Sequence, residues 1–282
     1  MISYFRLFSI AGLAVTLITL NGCGGSSNTS TSNTTPSAST PSTPQTDSAP
    51  APSHSDNHGG ETKEASGTTD PDVDYMTSLG LMKGHLLVAK ELIDQKQLDQ
   101  AEPHIGHPVE ELYGDIEAEL PTRKVPDFKS TLNQLHDSVK AKADVAKIQP
   151  QYDAATKAIE TAMKGIPADK LGSPQFVVGA IEGLLETADE EYQAAINNGK
   201  IVEAIEYQDS RGFVLYAENL FKDVESQLKQ KNAEATSEIA TNMTELKQAW
   251  PSAIPPAQAV KTPEQVSKLV ATIKESTGKI GQ

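Results

Sequence analysis

The stretch LMKGHLLVAKELIDQKQLDQAEPHIGHPVEELY, residues 81–113, decides the fold. Within it, the run from Leu92 to Ala101 reads as the end of one helix, a tight polar turn and the start of an antiparallel return helix. With the turn centred near Lys96, antiparallel packing sets His85 level with His107 and places His104 one turn away. Pro103 and Pro108 bracket the last two histidines, so the return helix is expected to kink, or to restart at Pro108 with His107 near its cap. Gly84 and Gly106, each beside a histidine, permit close approach of a second helix or a ligand.

Outward from this hairpin the periodicity stays helical, with no convincing alternating strand run. A second segment, Ala195 to Ala204, aligns with the first when the two are offset by 103 residues, and it too reads as a helical hairpin. Leu132, Leu135, Val139 and Ala143 follow Phe128 at three- and four-residue steps and draw one apolar stripe. Val177, Ile181, Leu184 and Ala188 draw another, opened by Ser173 as N-cap and Pro174 in the first helical position. Thr262-Pro263-Glu264-Gln265 has capping-box spacing. Breaks are expected at Pro121 to Pro126, Gln149-Pro150, Gly165 to Gly172, Asn197-Asn198-Gly199 and Trp250 to Pro256. The expected fold is all-α, an antiparallel helical bundle over residues 72–282. One domain, or two sub-bundles over 72–165 and 173–282, would both satisfy this pattern.

The chain opens MISYFRLFSIAGLAVTLITLNGCGG. Arg6 precedes an apolar run from Leu7 to Leu20 that is too short to span a bilayer comfortably, and a small-residue site follows, so residues 1–22 read as a signal peptide. Leu20-Asn21-Gly22-Cys23 resembles the lipobox of bacterial lipoproteins. That resemblance implies a lipidated Cys23 as the mature N-terminus, a membrane anchor, and an extracytoplasmic place in the cell envelope, on the periplasmic face in a diderm host. Cys23 is the single cysteine of the chain, so a lipid on its sulfur would leave no free thiol and no possible disulfide. Residues 23–71 are rich in Ser, Thr, Pro and Gly and cannot bury enough apolar surface to order themselves. Such a tether of about 45 residues spans roughly 35–40 Å on average. The formal charge of −14, one unit more negative without Arg6, disfavours nucleic acid as a partner.

His85, His104 and His107 are the candidate metal ligands, with Glu110 and Glu111 three and four residues beyond His107 and on its face if the helix continues. Such a set would suit Zn, Cu or Fe. Met82, three residues before His85, would add a soft ligand for copper or haem iron. Capping, packing or surface roles for the same histidines remain the alternative. His136, alone on a polar stretch, reads as a surface residue, and His54 and His58 lie in the tether.

The segment LLETADEEYQAAINNGKIVEAIEYQDSRGF, residues 184–213, carries Glu191-Tyr192, Ala195, Gly199, Ile201 and Glu206-Tyr207 in a spaced pattern. It resembles the extracytoplasmic N-terminal region of the high-affinity iron permease family. The family's transmembrane motif, an arginine with glutamates in apolar spans, is absent. The resemblance therefore implies a soluble accessory module that presents a cation to a metal transporter, with Glu191, Glu206 and Asp209 as its carboxylates.

No nucleophile elbow, phosphate-binding loop, dinucleotide fingerprint or zinc-protease motif occurs. The expected function is thus a non-catalytic, lipid-anchored metal-handling protein. A structural or partner-binding lipoprotein without metal is the alternative.

Overall fold

In the computed structural model, residues 70–280 are described; the signal peptide, Cys23, the tether and its two histidines lie outside the described residues. Asp70 accepts a hydrogen bond from the Asp72 amide, and Pro71 takes the first position of helix α1 (Pro71–Asp94). α1 is buried on nearly every face, as a helix enclosed by others must be. Lys96, with φ 61°, then reverses the chain into α2 (Leu98–His107). Pro103 lies inside α2 without ending it. α2 ends at His107, and a new helical element starts at Pro108 with His107 in its cap position, as one of the two expectations had it; its form is unexpected, because residues Pro108–Leu112 make a π-helical turn that leads into α3 (Tyr113–Glu117). A proline there lacks its N–H and crowds the carbonyl of His104 four residues back, and the wider turn relieves that clash.

α4 (Lys129–Lys140) buries Leu132, Leu135 and Val139, as its stripe requires. The expected break at Gln149-Pro150 is not there. It falls instead at residues 141–144, where Lys142 adopts φ 52°, and α5 (Val145–Met163) passes through Pro150. The proline sits in the second turn, where it forfeits a single backbone hydrogen bond. After the short α6 (Ala168–Leu171), α7 (Pro174–Ala195) begins with Ser173 in the cap position, although its hydroxyl makes no capping bond.

The expectation of no strand is corrected at one point. Ile196–Asn197 (β1) pairs antiparallel with Lys200–Ile201 (β2) around Asn198 and Gly199. Both turn residues have positive φ, 52° and 74°, the conformation that a two-residue hairpin demands. α8 (Ala204–Lys231), α9 (Ala233–Leu246) and α10 (Pro263–Gly278) follow. The capping box of α10 is complete: Gln265 N donates to Thr262 Oγ1, and Thr262 N donates to Gln265 Oε1.

Helices α1, α2, α4 and α5 pack in cyclic order as one ring, and α7, α8, α9 and α10 as a second. α1 joins them by lying along both α7 and α8. The α1–α8 crossing is close because Gly84 and Gly212 meet there. A Cβ on Gly84 would come 2.6 Å from Phe213 Cδ1, and one on Gly212 would collide with the Gly84 carbonyl. Among the described residues, no helix is long and apolar enough to cross a membrane.

Candidate metal centre

The first two turns of α8 are polar where a central helix would ordinarily be apolar. Tyr207, Gln208, Asp209 and Ser210 are all buried, and Arg211 is half-buried. Polar groups in such a position require partners, and each finds them. Tyr207 OH donates to Ser252 O at 3.3 Å, and Trp250 Nε1 donates to Ser210 Oγ at 2.7 Å. Arg211 pairs with Glu91 of α1 at 2.9 Å and donates to Trp250 O at 2.7 Å. These bonds fasten α8 to α1 and to the segment between α9 and α10.

The carboxylate of Asp209, 2% exposed, faces three imidazoles. Its Oδ1 lies 2.6 Å from Nδ1 of His85 and 2.6 Å from Nδ1 of His104, and its Oδ2 lies 3.3 Å from Nδ1 of His107. α1 supplies His85, α2 supplies His104 and His107, and α8 supplies Asp209, so the glycine crossing is what allows the carboxylate to reach the first of them. His85 and His104 are fully buried, while His107 keeps a little exposure. Phe213 closes the set, edge-on to the His85 ring at 4.9 Å between centroids.

Burial is the largest single influence on Asp209 and alone would raise it. The charges of His85 and His104, with hydrogen bonds from His104 and His107, outweigh it and hold the carboxyl well below the ordinary carboxylate range. His107 shows the complementary balance. Burial acts to lower it, but the hydrogen bond and charge of Asp209, helped by the charge of Glu111, prevail over burial and the opposing charge of His85 and raise the imidazole.

His85, His104 and Asp209 each offer one ligand atom, all within 4.8 Å of one another. A tetrahedral ion with bonds of about 2.0–2.2 Å sets its ligand atoms roughly 3.3–3.6 Å apart. The side chains would have to part only slightly to admit one. With His107 added, the donor set is three imidazoles and one carboxylate, which suits iron, copper and zinc alike.

The structure brings His85, His104 and His107 together and joins them to Asp209. It does not bring Glu110 into that set. Glu110 is exposed, and Glu111 is half-buried and acts on His107 through its charge. Their i+3 and i+4 spacing assumed a regular α-helix beyond His107, and the π turn changes the angular steps. Met82 is fully buried in the core of α1. Glu191 and Glu206 are half-buried near the ends of α7 and α8 that flank the hairpin. The surface reading of His136 is wrong: it is buried, with Nε2 2.7 Å from Glu102 Oε1, and so ties α4 to α2.

One contributor escaped sequence reasoning. Gln208 Oε1 lies 2.8 Å from His104 Nε2. The signal for it was available in the unbroken polar run Gln208-Asp209-Ser210-Arg211, which interrupts the apolar periodicity between Tyr207 and Phe213 early in α8.

Residues 70–280 thus define an all-α protein of two helical rings with a buried His-Asp cluster at their junction. Residues 167–282, which include the whole second ring, match the family model of the iron permease-associated 4-helix bundle domain. The resemblance carried by residues 184–213 lies inside that match, which points to an iron permease-associated, metal-related role. No curated protein and no solved structure matches the chain. Asp209 and Gln208 belong to the matched part, and the three histidines belong to the ring that precedes it.

Proposed function

We propose that this chain is a non-catalytic metal-handling protein in which His85, His104, His107 and Asp209 hold one divalent transition-metal ion. The observation that carries this reading is the convergence of three Nδ1 atoms on one carboxylate in a buried position. The family match supports iron as the physiological cargo, and the ligand chemistry also accommodates copper and zinc. An ion suits the site better than haem, because imidazoles this close to one another and to Phe213 leave no slot for a porphyrin.

Enclosure supports handling rather than catalysis. A catalytic metal keeps one coordination position open to substrate, whereas His85 and His104 here are fully buried and His107 is nearly so. Loading must displace protons from the imidazoles, because a metal takes the neutral ring. The lipobox-like sequence supports a lipid on Cys23 that keeps the protein at the membrane, within reach of a metal transporter. In that case Cys23→Ser moves the protein from the membrane fraction to the soluble one; a variant that stays with the membrane contradicts the anchor.

The metal reading is tested by elemental analysis of the full chain after exposure to Fe(II), Cu(II) or Zn(II) and removal of free ion. Close to one equivalent is expected, with loss in His85→Ala and His107→Ala. Retention of no metal, with an unchanged fold, would leave the cluster as a structural knot of buried hydrogen bonds.

A further inference from the structure

The His104 ring is held at both ends by neighbouring residues of α8: Nδ1 against Asp209 Oδ1 at 2.6 Å and Nε2 against Gln208 Oε1 at 2.8 Å. Which atom of the Gln208 amide faces the imidazole is fixed by its other partners. Gln208 Nε2 donates to Gln100 Oε1 at 3.0 Å and to Ala253 O at 3.0 Å. The Ala253 carbonyl can only accept, so the nitrogen must point to it and the oxygen must point to His104. The Ala253 peptide is itself anchored, since its N–H donates to Glu91 Oε1 at 3.2 Å. Gln208 is buried, so no solvent molecule can readily replace it in this role.

From this geometry we infer that Gln208 is a positioning residue for the metal centre: by accepting from Nε2–H it fixes the His104 tautomer and assigns Nδ1 as the metal-binding atom. The inference rests on the metal-binding reading of the cluster. An imidazole can present either nitrogen, and the group that holds the second one decides which is offered. Here an amide locked by Gln100 and Ala253 makes that decision. It also orients the ring so that Nδ1 points toward Asp209 and His85. Because Gln100 lies on α2 and Ala253 on the segment that precedes α10, the same amide couples the ligand to both helical rings.

The test uses the full chain, zinc as the probe, and Gln208→Met, which keeps the length of the side chain and removes its acceptor. Wild type is expected to bind zinc with His104 coordinated through Nδ1 and protonated at Nε2, read from nitrogen NMR of the imidazole ring. Gln208→Met is expected to bind about 10–100-fold more weakly, the usual effect of removing such an outer partner, and to lose that ring signature. Should Gln208→Met fail to fold, Gln100→Ala removes one of the two locks and carries the test at smaller amplitude, with a loss of a few-fold and a mixed His104 signature. Wild-type affinity in a folded variant, or weaker binding with the His104 signature intact, overturns the positioning role. Absence of zinc binding in the wild-type chain instead overturns the metal reading on which it stands.

Discussion

At the scale of single residues, Asp209 is the pivot. Removing one member of a buried charge pair typically costs about 3–5 kcal/mol, because its partners remain buried without a counter-charge. Asp209→Asn is accordingly expected to lower unfolding free energy by that order in urea titrations near neutral pH and to abolish metal retention. The pH dependence has a defined sign. A carboxyl held below its ordinary value of 3.8 contributes stability that is fully present above that pH and is lost as pH falls through its folded value. Metal-free wild type should therefore lose stability on acidification below about 3.8, and Asp209→Asn should lose less over the same interval; equal acid slopes would contradict the charge assignment. The histidines were legible in the sequence because three of them fall within one hairpin of fixed register. Their carboxylate was harder to pick out. Its proximity depends on the crossing of α1 with α8, a contact between residues more than a hundred positions apart that no local spacing encodes.

At the scale of the elements, the site depends on two backbones touching. Gly212→Ala would drive a methyl group into the Gly84 carbonyl, where only backbone could yield. A destabilisation at the upper end of the usual 1–3 kcal/mol for overpacking, about 3 kcal/mol, is expected, along with weaker metal binding as α8 is pushed from α1. Gly114→Ala is the control. It meets open space in α3 and should be neutral or stabilising by a few tenths to about 1 kcal/mol. Matching denaturation midpoints for the two variants would show that the crossing is not tight. Helix identity, the apolar stripes of α4 and α7, the α10 capping box and the turn at Asn198-Gly199 could all be read from local pattern. The proline effects could not. Pro150 is tolerated because α5 begins five residues before it, and Pro108 opens a π turn where an α-helical restart or a kink would both have satisfied the sequence.

At the scale of the whole molecule, the family match covers one ring and the His-Asp cluster draws on both. The matched four-helix ring supplies one carboxylate and its neighbouring amide, and the preceding ring supplies every imidazole. Metal should therefore act as a clasp between the rings. A ligand that binds the folded form alone adds about 2.7 kcal/mol when its free concentration is about a hundred times its dissociation constant. The melting temperature of the full chain should rise on loading and fall back when a chelator strips the ion; no shift at a concentration that saturates binding would show that the ion does not prefer the folded form and would contradict the clasp. The claim beneath all of these is that the ion sits among three imidazoles and a carboxylate. X-ray absorption at the metal edge of the loaded full chain tests it most directly. A shell of imidazole nitrogens with one carboxylate oxygen is expected, depleted of imidazole in His104→Ala. A shell of water and carboxylate oxygens without imidazole, unchanged in that variant, would contradict it.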